Sequence, residues 1–74
     1  MYRTLLMLQL AQVDRFFSQG ERHIIQQKEL IIRMERGGDE ITEATQLLRQ
    51  MQKLQVSYVA TRERLLKELT DEPS

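Results

Sequence analysis

The sequence predicts an all-α protein: an antiparallel two-helix hairpin of coiled-coil type that dimerises into a four-helix bundle. Apolar residues recur with heptad spacing through most of the chain. One strong helix-breaking signal, Arg36-Gly37-Gly38-Asp39, interrupts them. The chain has 74 residues and no cysteine. Chains this short bury only about 60% of their unfolded surface, so the core needs reinforcement. Disulfides and thiolate metal sites are excluded, and one histidine without clustered partners offers no metal centre. Oligomerisation is the reinforcement that remains.

The whole chain reads as a single α-hairpin domain, residues 1–74. Helix 1 is expected over about residues 3–36 and is rich in Leu, Gln, Glu, Arg and Met, which favour helix. Arg33 and Arg36 suit the negative end of its dipole, and Glu29–Arg33 is an i,i+4 pair in the better orientation. The turn is placed at 37–38, with Gly37 expected in the left-handed conformation that closes a helix. Helix 2 is expected over about 40–69, with Asp39 as its cap, Glu40 and Glu43 in its first turn and Glu63–Lys67 as a second pair. A polar tail, 70–74, ends the structure at Pro73. At ~1.5 Å per residue each helix spans about 45 Å, and so short a turn forces the two antiparallel.

The register follows from folding the two heptad ladders onto each other at the turn. Met34 then meets Ile41, Ile31 meets Ala44, Gln27 meets Leu48 and Ile24 meets Met51. Further on, Gly20 meets Gln55, Phe17 meets Tyr58, Val13 meets Arg62, Leu10 meets Leu65 and Leu6 meets Leu69. Every layer joins an a position to a d position, a mirror that neither helix shows alone. Gly20 has a reason here: it removes bulk where Gln55 must lie close to backbone. A helix break or hinge at Gly20 is the sharper alternative, though no proline or second glycine accompanies it. Arg62, opposite Val13, is expected to snorkel toward Asp14. Met7, Met34 and Met51 read as gap-fillers.

Two helices cannot cover themselves, so the flanks of the seam matter. One flank carries Phe16, His23 and Leu30 opposite Thr61, Leu54 and Leu47. The other carries Asp14, Glu21, Lys28 and Glu35 opposite Thr45, Gln52, Val59 and Leu66. The first is mostly apolar and the second mostly polar. A stripe of Phe16, Leu30, Leu47 and Leu54, with His23 at its centre, is therefore the expected homodimer interface. Higher oligomers or another helical partner are the alternatives. Ile25, Ile32 and Leu8 add apolar surface elsewhere on helix 1. If His23 is buried in the stripe without an acidic partner, burial would favour neutral imidazole, so protonation near pH ~6 would oppose association.

Chemistry finds little to work with. Carboxylates are scattered outward rather than paired, no phosphate-binding glycine loop is present, and the Glu-x-x-His spacing of di-iron bundles is broken by Gly20. No cofactor and no catalytic activity are expected. The formal charge is zero, which argues against a general attraction to nucleic acid or anionic lipid. It is divided, however: residues 1–36 carry six Lys/Arg against four Asp/Glu, and residues 39–74 five against seven. Arg15, Arg22 and Arg36 share one outer stripe of helix 1, interrupted by Glu29, which leaves a small nucleic-acid-associated regulator as an alternative. Contact with a membrane surface through Tyr2 and Leu5–Leu8 is a third reading. No apolar run is long enough to span a membrane and no cleavage site follows the N-terminal segment, so the cytoplasm is expected.

The stretch GERHIIQQKELIIRMERGGDEITEATQLL, followed by RERLLKEL, resembles short uncharacterised helical-hairpin proteins of alphaproteobacteria, especially rhizobial types. The likeness runs over about residues 10–69. It rests on Gly20-Glu21, Ile24, Gln27, Ile31, Gly38, Thr42, Ala44, Leu47-Leu48, Arg62 and Leu65-Leu66. It implies a small cytoplasmic helical protein and brings no catalytic residues.

Overall fold

Helix-forming residues dominate both halves of the chain, and the computed structural model, which describes residues 2–71, is two helices with a short connection. Helix α1 runs from Tyr2 to Arg36 and α2 from Thr42 to Asp71. They lie side by side and antiparallel, in a rod measuring 59 × 14 × 12 Å between Cα extremes. The all-α hairpin is therefore the fold, and α1 passes through Gly20 without interruption.

The turn differs in detail from its expected form. Gly38, not Gly37, takes the left-handed conformation, with φ of +79°. Its N–H donates to the Glu35 carbonyl at 3.1 Å, and the Asp39 N–H donates to the Met34 carbonyl at 2.8 Å. This pair of bonds is the Schellman closure, which requires positive φ one residue past the helix cap and so selects Gly38. Asp39 is drawn into that closure and does not cap α2. Instead the Glu40 carboxylate accepts from the Thr42 N–H at 3.0 Å and from the Thr42 hydroxyl. The Ile41 carbonyl accepts the first helical bond, from Thr45 N–H at 2.9 Å. The connection thus covers 37–41 rather than 37–38, and α2 begins two residues later than expected. Its other end extends past residue 69 to Asp71, where the Thr70 hydroxyl bonds back to the Leu66 carbonyl. The expected stop at Pro73 lies outside the described residues.

Packing between the helices follows the mirrored seam. Near the open end, Leu6, Val13 and Leu65 are buried, with Leu10, Tyr58 and Leu69 packed against them. Toward the turn the buried residues are Ile31 and two glutamines, Gln27 and Gln55. Phe17, Gly20, Ile24 and Met51 are half-buried along the same line. Among the described residues only four apolar side chains are buried, Leu6, Val13, Ile31 and Leu65. That is a thin core for a chain of this length, because each helix has one neighbour instead of the two it would have in a bundle.

Candidate interaction surface

The residues that hold the two helices in register also decide which face is left open. A Cβ placed on Gly20 would lie 2.1 Å from Gln55 Oε1, far inside van der Waals contact. Gln55 therefore lies directly on the α1 backbone, where its Nε2 donates to the Phe17 carbonyl at 2.9 Å. Its Oε1 is buried with no conventional hydrogen-bond partner. Gln27 makes the reciprocal bond in the opposite direction, Nε2 to the Ala44 carbonyl at 2.9 Å. Sequence reasoning gave Gln55 a role and left Gln27 as a plain layer residue. The signal was present, since Gln27 is the other glutamine in the inward ladder.

Arg62 reaches Asp14 as expected, with Nε 2.8 Å from Oδ1, and both side chains are about half exposed at 48% and 52%. Solvent screening limits such a pair to ~0–1 kcal/mol, so it orients the flank more than it stabilises it. It is the one ion pair found among the described residues. Glu29–Arg33 and Glu63–Lys67 do not close, because ordering two long exposed side chains costs about what the pair would gain.

The apolar flank stands open. Phe16 is 45% exposed, Leu30 40%, Leu47 45% and Leu54 52%. His23 is exposed between them and lines a shallow groove with Gln26, Leu30, Arg33 and Met51. Leu30 and Leu47 continue into a second groove with Met34 and Ala44. Tyr58 leans toward this side: its ring contacts Phe16, with centroids 5.9 Å apart, in addition to its seam position opposite Phe17. The Tyr2 hydroxyl donates to Glu68 at 3.1 Å and closes the same flank at the open end.

Apolar residues also lie elsewhere. Met7 is 56% exposed and fills no gap, which corrects its assignment. Its position beside the seam has no opposing helix on that side. Leu5, Leu8, Ile25, Ile32, Val56 and Val59 are exposed as well. The opposite flank nevertheless carries Asp14, Glu21, Lys28, Glu35, Arg49 and Glu63, so its apolar residues are broken up by charge. Arg15, Arg22 and Arg36 are exposed on the outer stripe of α1, with Glu29 between them. Among the described residues no three His, Cys, Asp or Glu side chains converge on a metal-sized site. None of the described helices is long and apolar enough to cross a membrane. No protein family, curated protein or solved structure matches the chain.

Proposed function

We propose that the protein is a non-enzymatic interaction module that works by self-association, with Phe16, His23, Leu30, Leu47 and Leu54 as the contact stripe of a homodimeric four-helix bundle. The observation that carries this reading is surface area. A globular monomer of 8.8 kDa exposes about 4,800 Å² on the usual scaling. This chain exposes 6033 Å². The surplus, roughly 1,200 Å² per chain, matches one face of the hairpin, 59 Å long and about 20 Å wide at two helix diameters. A dimer burying it on both copies would remove about 2,400 Å² from water, within the range of obligate homodimers.

Light scattering or sedimentation at micromolar concentration tests the proposal. The expected mass is twice 8.8 kDa. Leu47→Glu with Leu54→Glu places two carboxylates in the stripe and is expected to dissociate the dimer. A stably folded wild-type monomer sinks the reading.

One observation favours a second reading, contact with a membrane surface. Leu5, Met7 and Leu8 are exposed on different sides of the first turns of α1, beside Tyr2, and the proposed stripe does not include them. Co-sedimentation with vesicles tests this: removal of binding by Leu5→Ser with Leu8→Ser supports it, and an unchanged supernatant excludes it.

A further inference from the structure

We infer that the second copy docks with its turn at the same end as the first, about a two-fold axis parallel to the helices, so that α1 of each hairpin lies on α2 of the other. This rests on the self-association reading and specifies its geometry.

The stripe is one part of a wider face. Its rim on α1 is Gln12, Gln19 and Gln26, and on α2 Gln50 and Ser57, all exposed. From Gln9 to Leu30 on α1, and from Leu47 to Thr61 on α2, the residues of this face include no Asp, Glu, Lys or Arg. The chain as a whole is 30% charged, so a strip free of charge on both helices over the middle ~21 Å of the rod is a compositional mark of an interface centre. Charges return only at the ends: Arg33, Glu40 and Glu43 near the turn, Arg64, Glu68 and Asp71 near the open end.

A two-fold axis along the rod fixes the axial register by symmetry, because both copies then sit at the same height. Leu30 falls on the partner's Leu47, His23 on the partner's Leu54, and Phe16 on the partner's Thr61. At the rim, Gln26 meets the partner's Gln50 and Arg33 meets the partner's Glu43. Leu30 meets Leu47 and Arg33 meets Glu43, each twice over, and no like charges are brought together along the strip. Every neighbouring pair of helices is antiparallel.

The opposite-end arrangement fits less well. Centred on the rod, it puts Leu30 on the partner's Gln9, Leu47 on the partner's Glu68 and Glu43 on the partner's Asp71. Sliding the copies by about seven residues restores apolar contacts. It also brings Glu40 to the partner's Glu68 and uncovers about 10 Å at each open end. The surplus area needs the full length of the face.

The chain has no cysteine, so a single one carries a spin label without background. Asp39→Cys labels the turn, and Arg36→Cys, on the outer stripe, serves as a second position should the first disturb the turn. Dipolar distance measurement on the dimer is expected to give a separation under about 35 Å for both, as the two α1 ends lie on the diagonal of the bundle, about 11–14 Å apart before label arms are added. Distances beyond about 35 Å with a dimer mass overturn this arrangement and leave self-association standing, since both opposite-end arrangements hold the turns about 39 Å or more apart along the rod. A monomer mass overturns both, and a mass above the dimer overturns the two-fold geometry.

Discussion

Gly20 places a known cost against a specific contact. Glycine inside a helix loses about 1 kcal/mol relative to alanine. Gln55 is only 9% exposed, and its amide would be left unsatisfied without the close approach that glycine permits. An alanine Cβ would lie 2.1 Å from Oε1 and displace the amide from the Phe17 carbonyl. Losing a buried hydrogen bond costs ~1–3 kcal/mol. Gly20→Ala is therefore expected to lower stability by about 1 kcal/mol net, read by urea unfolding at fixed protein concentration. Adding Gln55→Leu removes the stranded amide, and the double variant is expected to recover wild-type stability or exceed it. Strict additivity of the two changes would refute the coupling.

At the scale of elements, the connection is decided by which backbone donors reach which carbonyls. Gly38 alone has positive φ, and Gly37 would bring a Cβ only to 3.5 Å from its neighbours, ordinary contact. Gly38→Ala should cost ~1–2 kcal/mol from left-handed strain, whereas Gly37→Ala should change the thermal midpoint little. Equal effects would contradict the assignment of the closure. The Glu40 carboxyl is held below its ordinary 4.5, first by the Thr42 hydroxyl and then by the Thr42 N–H. A carboxylate depressed on folding adds stability that is present above its unfolded value and lost as pH falls through the folded one. Glu40→Ala is thus expected to fray the start of α2 at neutral pH, seen as faster amide exchange there. The difference from wild type should vanish once pH drops well below 4.5.

The whole molecule is a rod that leaves one charge-poor face uncovered, and His23 lies near the middle of that face. In the proposed dimer it is enclosed by Leu54 and the partner's Leu54. The charged groups lining its groove are Glu29 and Arg33, both from α1, and α2 brings Met51. A leucine at this position would extend the apolar contact, so His23→Leu is expected to strengthen the dimer in sedimentation experiments. A weakened dimer would place His23 outside the contact.

Much of this was legible in the residues themselves. The heptad ladders and the single Gly-Gly interruption determined two antiparallel helices. Mirroring the ladders brought Gln55 to Gly20 and Arg62 to within reach of Asp14. Those features follow from periodicity, which is local and repeats down the chain. Other features were settled only by tertiary structure: Gly38 rather than Gly37 at the closure, α2 beginning at Thr42, Gln27 bonding to Ala44, and Tyr58 turning its ring to Phe16. In each, several donors or rotamers compete for one place, and the winner depends on where the opposite helix or the end of the turn lies in space. A heptad pattern says which side of a helix a residue is on. It does not say which carbonyl that residue will find there.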